Sequence, residues 1–340
     1  MSLPGYIARR IVLLVPILFA ISLITFTLSH IIPGDPARLV SGLEASEEQV
    51  QRLREDLGLD KPLPVQYGIY MRDLLHGDLG TSLINGAPVR NNLREFFPAT
   101  VELALSALFL ALVIGVPLGI LSATHKDALV DQTSRVAALV GVALPAFWVG
   151  IILLLIFFFY LGWFPSGGRI DPVVAIENPP PDITGLLTVD AVLTGNWSLL
   201  KDAVWHLALP AITLSLATFA RVVRITRTSM IEALGQPYIA TARAKGMPER
   251  RVVYVHALKN ALIPVVTIVG IATGFLLGGS VLVETIFAWP GIGKYAFDSI
   301  TVLDYNSILG VTLLATVIFI CVNLLVDIVY AYLDPRIRLG

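Results

Sequence analysis

YIATARAKGMPERRVVYVHALKNALIP, residues 238–264, is a basic, helix-forming stretch set between two long apolar runs, 204–223 and 262–286. Each run has about the length that carries an α-helix across a ~30 Å hydrocarbon core. A basic segment between two such runs belongs on the cytoplasmic face, because Lys and Arg in short loops set orientation. Four more apolar segments, near 10–32, 98–122, 136–162 and 306–330, bring the expected number of spans to six.

Composition agrees with an all-α, polytopic membrane protein. Of 340 residues, 56% are hydrophobic and 14% charged, and the mean hydropathy is +0.78; soluble domains carry about 25% charged residues. A net charge of −1 suggests no nucleic-acid partner. The one cysteine, Cys321, lies in an apolar run, so no intrachain disulfide forms, and no Cys/His cluster suggests a metal. Arg9 and Arg10 precede 22 largely apolar residues, 11–32. That run exceeds the 7–15 residues of a signal-peptide core and no A-x-A site follows it, so it reads as a retained first span.

Four units follow: 1–32, a cytoplasmic N-terminus and first span; 33–97, an external segment; 98–330, a five-helix core with the 224–261 loop; and 331–340, a tail. With six spans both termini share one side. Arg9, Arg10, Arg336 and Arg338 lie there with seven Lys and Arg of the 224–261 loop, whereas loops 163–203 and 287–305 hold only Arg169, Lys201 and Lys294. Both termini are therefore expected to be cytoplasmic. In the external segment, EEQVQRLREDLGL (47–59) spaces Val50, Leu53 and Leu57 for an amphipathic helix. Ser46 and Gln49 make a capping box, and Gly58 a stop. PVQYGIYMRDLLHG (64–77) suits a second helix lying on the membrane surface.

Within the basic loop, Gly235-Gln236-Pro237 and Gly246-Met247-Pro248 break the chain into short helices. Between them Ala240, Thr241, Ala242 and Ala244 are small, so a partner can approach the backbone closely. Arg243 and Lys245 suit a helix C-terminus. A solvated, positively charged loop explains the composition equally well. Across the membrane, ETIFAWPGIG (284–293) reads either as an outer gate or as an interfacial turn whose Glu284 reaches water, with Phe287 and Trp289 as interface anchors. Thr267, Thr273 and Ser280 are candidate lining residues of a fifth span rich in glycine, which can also simply pack closely. Arg221 and Arg224 end the fourth span and Asn323 and Asp327 lie near the inner end of the sixth; either all four snorkel to the interface or Asp327 pairs with one of the arginines. His206 and His256 read as lone packing histidines.

The loop resembles the EAA loop of type I ABC importers, in the form found in the dipeptide/oligopeptide/nickel permease group. The pattern E-A-A, three residues, G, nine residues, I-x-L-P sets Ala240, Thr241 and Ala242 at E-A-A, Gly246 at G, and His256, Ala257, Leu258 and Lys259 at I-x-L-P. Ala240 stands where the family has Glu and Lys259 where it has Pro, with Pro264 five residues on. Elsewhere IARRIVLLVPIL and HIIPGDP (within 7–36), LGLDKPLPVQY, HGDLGTS, TVELALSALFLALVIGVPLGILSA, ETIFAWPGIGKYAFDSI and NLLVDIVYAYLDPR are similar to the same group in matching order. Within it the chain looks most like the first of the two dipeptide-type permease subunits.

The resemblance implies a type I permease fold in the inner membrane. It also implies a second homologous permease, two ABC ATPases and an external solute-binding protein as partners. The cargo would be a peptide, with nickel, glutathione and oligosaccharides as the alternatives. Tyr238, Ala240, Thr241, Ala242, Arg243, Ala244, Lys245 and Gly246 would couple to the ATPases. ATP and Mg would be used by those partners, and this chain would bind membrane lipids and no cofactor. No G-x-x-x-x-G-K-[ST], H-E-x-x-H or G-x-S-x-G occurs in the sequence. A secondary carrier, the main competing class, would need mid-span titratable relays or inverted repeats, and neither is evident.

Overall fold

The computed structural model describes residues 3–31, 34–41 and 45–333. Among them the regular elements are helical, joined by one isolated bridge between Thr81 and Pro88. The tail 334–340, with Arg336 and Arg338, and Ile32-Pro33 lie outside the described residues.

The chain opens with α1 (Leu3–Ile31) and the short α2 (Pro36–Ser41), α3 (Glu47–Asp56) and α4 (Leu63–Leu75). α1 is apolar nearly all round. Val12, Val15, Phe19, Ile24 and Leu28 face outward, as a helix in lipid requires. α3 begins with the expected capping box: Ser46 Oγ accepts from Gln49 N at 3.3 Å, and the Gln49 side chain accepts from Ser46 N at 3.0 Å. α4 does not lie alone on a surface. It packs across the end of α1 through Tyr67 on Ser22 (3.0 Å) and Gln66 on His30 (3.1 Å).

The core comprises α5 (Val89–Thr124), α6 (Leu129–Ala143), α7 (Ala146–Leu153, continued as a π-helix to Tyr160), α8 (Pro172–Glu177), α9 (Leu187–Leu193) and α10 (Trp197–Leu234). It continues through α11 (Pro237–Ala244), α12 (Glu249–Arg251), a π-helical turn Val252–Ala257, α13 (Leu258–Leu277), α14 (Val281–Ile286), α15 (Ile292–Thr301) and α16 (Tyr305–Leu333). α5 and α10 form the central pair. A Cβ on Gly119 would lie 2.9 Å from the Val223 carbonyl oxygen, so glycine allows this approach. Gly270 does the same for α13 on α16, where a Cβ would meet Val326 at 2.1 Å.

Five described helices are long and apolar enough to cross a membrane, and the bent pair α6–α7 brings the number to six when its two arms are counted as one span. The third span, expected as one run over 136–162, turns by 103° between its two arms. Pro145 is the cause: Leu144 before it takes an extended conformation (φ −86°, ψ 132°), which ends α6. The fifth span starts earlier than 262 and stops at Leu277 rather than 286, because Gly278 and a left-handed Gly279 (φ +99°) turn the chain. The fourth runs on to Leu234, so Arg221 and Arg224 sit well inside α10 rather than at its end. Asp327 pairs with Arg10 of α1 at 2.8 Å, not with either of those arginines.

That ion pair fixes the ends of the bundle. The first turns of α1, the last turns of α16 and the 224–261 connection share one end, here the basic end. The 45–88 segment, α8, α9, α14 and α15 gather at the opposite, far end.

Candidate functional site

At the basic end, α10 stops at Gly235 and Pro237 occupies the first turn of α11, where its missing N–H costs nothing. α11 is eight residues long. Ile239 and Ala242, three apart, form its inner edge. They seat it on a cluster built by Ile120 and Ala123 of α5, Met230 and Ala233 of α10, and Val252, Val253 and Ala257 of the π-turn. The helix ends in a Schellman motif: Gly246 N donates to Arg243 O (2.9 Å) and Met247 N to Ala242 O (3.3 Å), with Gly246 left-handed at φ +76°. Met247 closes the motif by packing back on the same cluster.

The outer face carries Tyr238, Ala240, Thr241, Arg243, Ala244, Lys245 and Gly246, all exposed. So seven of the eight expected coupling residues face outward together, and Ala242 faces the core. Asn260 donates to the Tyr238 hydroxyl at 2.8 Å. Arg243 grips Glu249 with two hydrogen bonds, 3.1 and 2.6 Å, and this carboxylate raises the Arg243 pKa further. Ile239, the anchor, was absent from the expected set. Its signal was an apolar residue three before Ala242 in an otherwise small and basic helix.

The four expected lining residues do not come together. Thr267 and Thr273 sit part-buried on α13, donating back to Ile263 O (3.4 Å) and Val269 O (2.7 Å) of their own helix. Ser280 and Glu284 lie beyond the span, before and within α14. Glu284 does not reach water. It is fully buried and accepts from Ser280 N (3.1 Å), Lys294 N (2.9 Å) and Thr100 Oγ1 (3.1 Å). Burial pushes its carboxyl above the usual range despite those donors. Phe287 and Trp289 are likewise core residues, each 1% exposed, and not interface anchors. Trp289 Nε1 donates to Ala99 O at 2.8 Å. The knot leaves no room for larger residues, since a Cβ on Gly291 would lie 2.5 Å from Glu284 Oε2.

Four further carboxylates are buried among the described residues, Glu102, Asp131, Asp190 and Asp304, and none had a sequence signal. Glu102 takes Arg169 (2.6 Å) and the amide and hydroxyl of Thr188 (2.6 and 2.7 Å), tying the 163–203 connection to α5. Asp304 takes Ser82 (2.6 Å), Leu83 N (2.7 Å) and Ser307 (2.7 Å), clamping the 76–88 loop to the start of α16. At the basic end Asp131 takes Arg227 (2.5 and 2.8 Å) and Ser122 (2.5 Å). His206 is buried and bonded to Asp202 O at 2.9 Å, a packing role.

Comparison with known proteins then places this architecture. The family model described as "binding-protein-dependent transport system inner membrane component" matches residues 115–339, and its N-terminal companion matches 4–104. The probable D,D-dipeptide transport system permease protein DdpB of Escherichia coli is 47% identical over 96% of this chain and 95% of its own length. The dipeptide transport system permease protein DppB of Alkalihalophilus pseudofirmus is 44% identical over 98% and 99%. The glutathione transport system permease protein GsiC of Pectobacterium atrosepticum is 38% identical over 98% and 99%. Among solved structures, an inward-facing conformation of the MetNI methionine ABC transporter aligns with 71% of this chain and 96% of that one, at TM-score 0.51 and 15% identity, a likeness of fold.

Proposed function

This chain belongs to the family of binding-protein-dependent transport system inner membrane components, and from that membership we propose that it carries peptides inward through a pathway it shares with a second, related permease. It is a permease subunit of an ABC importer, a transport subunit and not an enzyme. ATP hydrolysis is the work of separate subunits. Dipeptides and short oligopeptides are the proposed cargo, a reading supported by relatives named for dipeptide transport along nearly their whole length.

Two ATPases would dock at the basic end, one on this chain and one on its partner permease. An external binding protein would deliver cargo at the far end. Both termini and the 224–261 loop would face the cytoplasm, the side favoured by its arginines and lysines. One observation supports the docking reading above others: α11 is seated on the bundle through Ile239, Ala242 and the turn that follows, while Tyr238 and six small or basic positions stand exposed on its outer side. The cluster beneath it joins α5, α10 and the entry to α13. A push on α11, as Mg-ATP closes the ATPase pair, would therefore move three spans at once and alternate access between the two ends.

The experiment is purification of the assembled complex through a tag on this chain, with Gly246→Glu beside it. Gly246 has open space around its missing Cβ, so a side chain there strains the left-handed backbone by about 1–2 kcal/mol and obstructs the outer face without a core clash. A second permease and two ATPases are expected with the wild type, with the ATPases lost or uncoupled from dipeptide uptake in the variant. Unchanged recovery and uptake in Gly246→Glu would refute the docking assignment. Orientation is read separately: Ser46→Cys in a Cys321→Ala background should label from outside intact cells.

A further inference from the structure

We propose that the crevice between α6 and α10 binds an anionic phospholipid, its phosphate held by Arg135 and Arg224 and one acyl chain laid along the apolar wall. The crevice encloses about 540 Å³. Arg135 of α6 and Arg224 of α10 line it together, with Gln132, Arg227 and Thr228 one turn closer to the basic end. Its wall is Val136, Leu139 and Val142 of α6 with Val223 of α10. The two helices run in opposite directions here, so Arg135 and Arg224 lie at one level beside Val136 and Val223, and Leu139 and Val142 continue the apolar wall away from the basic end.

The charges lining the crevice are unequal in their partners. Arg227, one turn beyond Arg224, is neutralised by Asp131 through two hydrogen bonds. Neither the Arg135 nor the Arg224 guanidinium meets a carboxylate or a hydrogen-bond acceptor among the described residues. Two uncompensated cations beside an apolar wall call for a ligand that is anionic at one end and apolar along its length. A phospholipid is such a ligand, and basic pockets between spans are suited to anionic headgroups. A peptide would lay amide groups against Val136, Leu139, Val142 and Val223, which offer them no hydrogen bonds. The inference rests on the chain crossing a membrane and does not depend on the cargo.

The test is native mass spectrometry of the detergent-purified transporter with added dioleoyl phosphatidylglycerol and, in parallel, dioleoyl phosphatidylcholine. Phosphatidylglycerol should be retained preferentially. Arg135→Gln with Arg224→Gln should cut its retention by about thirtyfold, roughly fivefold per cation, while Arg250→Gln on the exposed α12 leaves it unchanged. Leu139→Trp, which fills the wall and keeps both cations, should also lower it. Equal retention of the two lipids, or indifference to both the double variant and Leu139→Trp, overturns the proposal. Displacement of the lipid by a transported dipeptide overturns it in favour of a cargo site. A cross-link from Leu139→Cys to the second permease overturns it in favour of a subunit contact.

Discussion

The Gly235–Pro248 and Glu284–Lys294 connections are both rich in glycine and proline, and they treat their polar groups in opposite ways. At the basic end α11 rests on apolar contacts and turns its cations and hydroxyls outward. At the far end Glu284, Thr100 and the Trp289 indole are drawn into the core and fully bonded there. The difference is one of directionality. Apolar burial is insensitive to small rotations, so a helix held that way can rock without losing its seat. A buried carboxylate bonded to three donors tolerates little displacement, because each donor it leaves stays unsatisfied away from water. The far-end knot therefore holds a geometry, and the basic end can pass a movement on.

The sharpest way to break this comparison is Glu284→Ala. It strands two amides and a hydroxyl, each at about 1–3 kcal/mol, so a loss of roughly 3 kcal/mol or more is expected. Thermal unfolding of the purified protein should then move down by about 6 °C or more, and an unchanged midpoint would show the knot to be dispensable. Next in size is Ile239→Asp, which puts a charge beneath α11. Uptake should fall at least tenfold through unseating of the coupling helix, whereas the unfolding midpoint falls less than for Glu284→Ala. The reverse order would make α11 a structural element.

A smaller effect sharpens the far-end side. Asp190 is buried, and burial alone would raise its pKa. The hydroxyl and amide of Thr184 and the amides of Ile183 and Gly185 outweigh that and lower it below 3.8. A lowered carboxyl stabilises the fold fully above its unfolded value and loses that contribution as pH falls through the folded one. Hydrogen exchange across 183–193 should accelerate as pH drops below about 3.8, after correction for intrinsic rates, and Asp190→Asn should remove that dependence. Smallest of all is Glu249→Gln. The Arg243–Glu249 pair is solvent-exposed, so stability should change by less than about 1 kcal/mol, with an unfolding midpoint within about 2 °C of wild type.

Much of this molecule is local and so was legible from the chain alone. Runs of apolar residues announce membrane spans because each must satisfy its own backbone in lipid. The Ser46 box, the ends of α11 at Pro237 and Gly246, and the clustering of cations in one connection are also properties of near neighbours. Tertiary structure decided what depends on helices meeting. Arg10 found Asp327 across 317 positions and Arg227 found Asp131 across 96, the latter where α6 approaches α10 closely enough that a Cβ on Gly141 would lie 3.2 Å from the Leu216 carbonyl oxygen. The burial of Phe287, Trp289 and Glu284, which by sequence suit an interface, follows from α14 packing against α7 and α10 while the turn after it and α15 sit against α5. No periodicity within ETIFAWPGIG encodes that, because the donors that keep Glu284 include a hydroxyl 184 residues away.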